Sequence, residues 1–251
     1  MKNQKVGIIV QARMGSTRLP GKVLKILYKE DKVLDVLIKR LKLCKFVDQI
    51  IIATTPDKKN ISIINLAKSY NISFFIGNEN NVLKRYYKAA KKNNLNVIIR
   101  VTSDNPLVDP IIIDNMILFF KEKNFDYIVN HHDKTNFPIG LGLEILSFRA
   151  LEIAHKLAKS KFDKEHITPF IIKNPNLFKL KFYDINDIKK INNLRLTIDE
   201  KEDLIMVRKL YKKLLDLGKD LEFTIYDIIN TIEKFPELLE INKHITQLEK
   251  I

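Results

Sequence analysis

Cysteine and glycine are both scarce in this chain: one cysteine and seven glycines occur in 251 residues. The lone Cys44 excludes an internal disulfide framework and a cysteine metal cage. Its setting, RLKLCKF, reads as a helical apolar stripe and makes it a core thiol. No apolar run approaches the roughly 18–20 residues that cross a bilayer, so no membrane association is expected. Met1–Lys5 leads directly into an apolar strand pattern with no secretory h-region, and the cytoplasm is the expected location. Gly/Ser-rich linkers, internal repeats and low-complexity tracts are absent. One domain over residues 1–251 is expected, with an elaborated arm within about 131–190 for acceptor binding or dimerisation.

Arginine is the third scarcity. The formal net charge is +14, yet only eight of 44 basic residues are arginine. Lysine, asparagine and isoleucine abound, a bias that spreads lysine over exposed helix faces. The basic residues form no single arm and no aromatic-interleaved platform, so nucleic-acid binding is the weaker reading of the charge. Arginine's planar fork binds anions bidentately where lysine acts as a point charge. The arginines of such a lysine-rich chain therefore mark positions to inspect: 13, 18, 40, 85, 100, 149, 195 and 208.

Short β-branched runs alternate with 3.6-periodic stretches, which predicts an α/β fold with a mostly parallel sheet flanked by helices. Strands are expected at 5–11, 48–53, 72–76, 96–102, 126–130, 142–147, 177–183 and 194–198. Helices are expected near 33–45, 59–70, 80–93, 111–123, 148–159, 164–173 and 201–217, with a short helix after Phe223.

Three segments carry the chemistry. In GIIVQARMGSTRLPGKVL, residues 7–24, a buried strand runs into a glycine-punctuated basic loop. Ligands of open α/β sheets bind at that carboxyl edge, and free N–H groups with cations suit phosphate. Gln11, Ala12, Arg13, Gly15, Ser16, Arg18 and Lys22 are the candidate nucleotide-binding residues here. A P-loop is excluded, because Gly21-Lys22 is followed by Val23. In RVTSDNPLVDP, residues 100–110, Thr102 ends a strand and Asp104 follows it. Asp104 and Asp109 read equally as turn formers beside Pro106 and Pro110 or, for Asp104, as a ligand of a hard divalent ion. In NNLRLTIDEKEDL, Asp199 follows another strand pattern. It reads as a helix cap, in a capping box with Glu202, or as a second metal carboxylate. Weaker candidates are Arg85 in NVLKRYYKAA, Gly140 and Glu144 in FPIGLGLEILS, and Glu165 and His166 in KEHITPFI. The other histidines, His131, His132, His155 and His244, show no metal-ligand spacing.

Taken in order, these motifs resemble the sugar-acid cytidylyltransferases, which include the enzymes making CMP-KDO and CMP-sialic acid. They are most similar to the branch called spore coat polysaccharide biosynthesis protein F, and the likeness runs from about residue 5 to the tail. Where related sequences carry Gly-Asp-Cys this chain has Ser103-Asp104-Asn105, which keeps the carboxylate. Asn81 or Lys84 stands where an acidic residue is common. The resemblance implies a Rossmann-like nucleotidyltransferase fold, a homodimer and transfer of CMP from CTP to an anionic acceptor with release of pyrophosphate. It implies that Arg13, Gly15, Ser16, Arg18 and Lys22 hold the triphosphate and that Asp104 and Asp199 hold Mg²⁺. Arg13, Lys22, Asp104 and Asp199 are then the catalytic set, Arg85 a nucleotide contact, and Gly140, Glu144, Glu165 and His166 the acceptor side. The alternatives are a glycosyltransferase of related fold using a nucleotide-sugar and a non-catalytic nucleotide-binding protein. The first would usually show a DxD motif, and Ser103-Asp104-Asn105 lacks its first acid. Two strand-end aspartates speak against the second.

Overall fold

The computed structural model describes residues 4–131, 137–185, 191 and 194–246. His132 lies outside them, as do parts of the expected arm. Strand β1 (Val6–Gln11) is the opening apolar run, buried from Val6 to Val10. After the basic loop come a 3-10 turn (Lys22–Leu24) and a hairpin, β2 (Ile26–Tyr28) and β3 (Asp31–Lys32), that the sequence reading lacks. Then α1 (Val33–Leu41), β4 (Gln49–Thr54), α2 (Ile61–Ser69), β5 (Ser73–Ile76), α3 (Val82–Lys92) and β6 (Val97–Thr102) follow as β–α units.

The second half adds α4 (Pro110–Lys123), β7 (Tyr127–Val129), β8 (Glu144–Ser147), α5 (Phe148–Leu157), α6 (Lys161–His166), α7 (Pro169–Lys173) and β9 (Leu180–Phe182). It ends with α8 (Lys201–Asp216), α9 (Ile225–Lys234) and a 3-10 segment, Pro236–Ile241.

Seven strands form one sheet in the order β5-β4-β1-β6-β8-β7-β9. β8 runs antiparallel to both neighbours, and the other pairings are parallel. Parallel strands are covered on both faces and read as continuous apolar runs, as β1 does. Ile8 and Val10 pack into a core with α1, α2, α4, α8 and α9. Ile9 faces a second core formed with α3, α5 and α7. The chain moves from β1 outward to β4 and β5, then returns to place β6 on the other side of β1. The loops after β1 and β6 thus leave in opposite directions and open a crevice at their carboxyl ends.

Three expectations fail. Cys44 lies past the end of α1, partly buried against the core and not on a helical stripe. Residues 164–173 are not one helix: Ile167 is buried with φ 72°, and Pro169 starts α7. A positive φ at a β-branched residue is strained; here it accompanies burial of the Ile167 side chain in the core. Residues 194–198 are not a sheet strand. They make one parallel bridge, Ile139 with Arg195, and lie across the carboxyl edge with Leu194 to Ile198 all buried.

Candidate active site

The loop after β1 is held at its base and open at its tip. Ala12 N–H donates to Ala53 O (3.2 Å), Met14 N–H to Asn60 Oδ1 (2.8 Å) and Gly21 N–H to Met14 O (3.1 Å). Asn60 is itself buried and clamps Thr55 through its amide, so the loop is pinned to the end of β4. Gly21 closes the turn with φ 66°, a conformation that favours glycine. Gly15 has no such need. A Cβ there would meet nothing within 4 Å. Neither packing nor a positive φ accounts for this glycine. The N–H groups of Gly15 and Thr17 have no partner among the described residues, and both residues are exposed.

The two aspartates meet at the same crevice. Ser103 N–H donates to Gln11 O, extending the β6–β1 ladder to the residue before Asp104. Ile198 N–H donates to Asp104 O (2.9 Å), so a main-chain hydrogen bond lays the Asp199 segment beside Asp104. The other side of that segment is fixed by Leu196 N–H to Ile139 O (2.7 Å). Gly140 packs there: a Cβ would lie 2.3 Å from Thr197 N, and φ is 100°. The glycine is accounted for by this backbone contact. Asp199 is not the cap of α8. Helix α8 starts after Glu200, and Asp203 accepts from the N–H groups of Asp199 (3.0 Å) and Glu200 (2.9 Å).

Lys22 joins the two carboxylates. Its Nζ lies 2.8 Å from Asp104 Oδ2 and 2.8 Å from Asp199 Oδ1. Arg18 also reaches Asp199 Oδ1 (3.0 Å) and Glu200 (3.3 Å). Arg195 holds Asp199 Oδ2 (2.8 Å) and is anchored on buried Asp203 (3.0 Å). Asn242 donates to Asp203 Oδ1 (2.9 Å) and to Arg195 O (3.1 Å), tying the C-terminal segment into the network. Burial alone would lower the Lys22 ammonium pKa; the adjoining Asp104 and Asp199 outweigh it and raise it. Burial likewise pushes Asp199 up, but Lys22, Arg18 and Arg195 hold its carboxyl below the usual range. A groove lined by Arg18, Glu200, Glu202, His244, Ile245 and Thr246 lies beside this cluster.

The remaining candidates lie around this centre. Arg13 pairs with Glu79 (3.1 Å), both half-exposed. Arg85 is buried beneath the loop before α3 and donates to Asn78 O, below the Glu79 that faces Arg13. Burial lowers its pKa. Ser16 Oγ accepts from Leu19 N–H (3.3 Å), shaping the loop. Gln11 and Thr102 end adjacent strands as paired residues. Glu144 is paired across β6–β8 with Arg100 (2.8 Å), and its Oε2 is buried without a partner among the described residues. Burial would lower the Arg100 pKa; Glu144 raises it. Glu165 is exposed on α6, and the His166 ring lies against Phe162 at 4.5 Å.

Asp109 is structural, capping α4 and accepting from Ile225 N–H of α9. Sequence reasoning passed over Asn60, Arg195 as a clamp, Asp203 and Asn242. Of these only Arg195 had a signal, its rarity beside a strand-end aspartate.

A family model described as Cytidylyltransferase matches residues 7–245. The chain belongs to the cytidylyltransferase family. It is 39% identical to an uncharacterised protein of Methanocaldococcus jannaschii, MJ1063, over 95% of each chain. It is 34% identical to the spore coat polysaccharide biosynthesis protein SpsF of Bacillus subtilis, over 91% of this chain and 94% of that one. The solved structure of a cytidylyltransferase from Leptospira borgpetersenii superposes with a TM-score of 0.87 at 31% identity, covering 98% of this chain and all of the other. The motif order had pointed to this family and to its spore coat branch. The chain is a nucleotidyltransferase, and for a cytidylyltransferase the Lys22–Asp104–Asp199 crevice is where charge is concentrated at the topological switch point.

Proposed function

We propose that this cytidylyltransferase moves CMP from CTP to an anionic small-molecule acceptor, a sugar acid or a related compound, and releases pyrophosphate. The likeness to SpsF favours a role in making a surface polysaccharide or glycan precursor. One observation carries the reading: two carboxylates from separate loops converge on a single cation next to a loop with free N–H groups.

Among the described residues no group of three or more His, Cys, Asp and Glu side chains could enclose a metal ion. A pair of carboxylates completed by substrate phosphates is the donor set that Mg²⁺ uses, and Asp104 and Asp199 already share a cation. The residues fit. Asp104 and Asp199 would hold the ion, which supplies Lewis-acid charge at the α-phosphate and the leaving group when bound.

The chain's own groups do the rest. The Gly15 and Thr17 N–H groups with Arg18 and Lys22 receive the β- and γ-phosphates and stabilise charge growing on pyrophosphate. Arg195, locked on Asp203, fixes the direction of Asp199. The acceptor oxygen attacks the α-phosphorus in line, and the bond to the bridging oxygen of pyrophosphate breaks. An acceptor that is already anionic needs no general base, so positioning and electrostatics supply the rate.

The test is a pyrophosphate-release assay over the four nucleoside triphosphates against a panel of sugar acids. CTP is expected to give turnover with at least one of them. Asp104→Ala should reduce that turnover by about 10²-fold or more with the fold intact by circular dichroism. Near-normal release by the folded variant would remove Asp104 from the site.

A further inference from the structure

The Lys22 ammonium lies in the position that a cation shared by Asp104 and Asp199 would take, 2.8 Å from an oxygen of each. An ion bound by both carboxylates, with metal–oxygen bonds of about 2.0–2.1 Å, cannot share that space with an ammonium. Lys22 has to leave. It cannot leave alone: only 11% of its side chain is exposed, and a buried ammonium stripped of its counter-charges is strongly unfavourable. An anion has to meet it as it moves.

The neighbouring groups separate into a fixed part and an exchangeable part. Arg195 is anchored on Asp203, with side chains 4% and 0% exposed, and keeps its hold on Asp199 Oδ2. Arg18 is 38% exposed and shares Asp199 Oδ1 with Lys22, so both can turn toward an incoming phosphate. The Gly15 and Thr17 N–H groups in the same loop have no partner among the described residues.

We infer that Lys22 is a placeholder for the divalent ion, so that the site accepts metal and triphosphate together and resists either component alone. The inference rests on the proposed role of Asp104 and Asp199 and adds the form in which the substrate is taken. A ligand that displaces the ammonium and a ligand that receives it help each other, and that coupling is reciprocal. Removing the ammonium should therefore increase the affinity for free metal, the opposite of what loss of a simple phosphate ligand would do.

The experiment titrates Mn²⁺ into the full chain, without nucleotide and with CTP but no acceptor, following free Mn²⁺ by electron paramagnetic resonance. Lys22→Met is expected to bind Mn²⁺ without nucleotide about ten-fold tighter than the unaltered protein does. Mn²⁺ alone should also raise its melting temperature more. Asp104→Asn in the same background should abolish the gain. Lys22→Met leaves two carboxylates facing one another, so Lys22→Gln, which keeps an amide donor between them, is measured in parallel. Folding of Lys22→Met only when Mn²⁺ is present supports the inference. If neither folded Lys22 variant binds free Mn²⁺ more tightly than the unaltered protein, the placeholder role is overturned. If no form binds Mn²⁺ even with CTP, the metal assignment itself falls.

Discussion

Two buried cations, Arg40 and Lys22, show how the same cost of burial is met in two ways. Arg40 is fully buried in α1. It donates to the carbonyls of Val108 (3.0 Å), Leu221 and Phe223 (2.9 Å), and its guanidinium lies 3.5 Å from the Phe223 ring centre. It makes no salt bridge among the described residues, and burial lowers its pKa to about 10. Lys22 is nearly as buried, yet its partners are two carboxylates and its pKa is raised. Carbonyls of the main chain cannot be exchanged without unfolding the segment that carries them. Carboxylates at the mouth of a crevice can change their cation. Burial by itself does not mark a functional charge; the nature of its partners does.

The comparison breaks most visibly at Arg40. Arg40→Met strands three buried carbonyls and should cost about 3–5 kcal/mol of stability in urea titration. Pyrophosphate release per folded molecule should be unchanged if the residue is a clamp; a selective loss of turnover in a fully folded variant would erase the distinction. Gly140→Ala comes next. It pushes a Cβ into the main chain of the Asp199 segment at positive φ and should cost about 2–3 kcal/mol, with turnover falling in step.

Gly15→Ala sharpens the other side. Its Cβ enters open space, so stability should stay within about 0.5 kcal/mol. The KM for CTP should rise by about ten-fold through a displaced phosphate; an unchanged KM would show that nothing approaches Gly15 closely. The smallest effect is at Cys44, whose thiol burial pushes from 9.0 up to about 12. The folded state keeps the neutral thiol, so its contribution to stability is complete below pH 9 and is lost as pH rises from 9 toward 12. Alkylation by iodoacetamide at pH 8 should be slow until urea unfolds the chain. Rapid stoichiometric labelling of native protein would contradict this.

Much of the fold was legible because buried parallel strands carry their own signature. The runs that became β1, β4 and β6 are apolar and β-branched between longer periodic stretches, and local pattern suffices for them; β5, at the sheet edge, is only half-buried. Residues 194–198 misled for a related reason. Their alternation suggests a half-buried strand, but both sides are covered, so the segment crosses the sheet edge and pairs at one point with Ile139. Residues 164–173 were read as one helix because helical period does not register the left-handed backbone that burying Ile167 accompanies.

The sequence by itself determined the class of the protein. A strand running into QARMGSTRLPGK and an aspartate after each of two apolar runs are local features that pointed to a metal–triphosphate site, and the order of the motifs resembled the cytidylyltransferases. Tertiary structure decided which side chains meet. Asp104 and Asp199 stand 95 positions apart in the chain, and long-range contacts such as the Ile198–Asp104 main-chain hydrogen bond bring them together around Lys22. It also moved Arg85 beneath a loop and committed Glu144 to Arg100. The physical reason is that periodicity and turn chemistry act over a few residues, whereas an ion cluster forms only where loops from distant strands share one edge of a sheet.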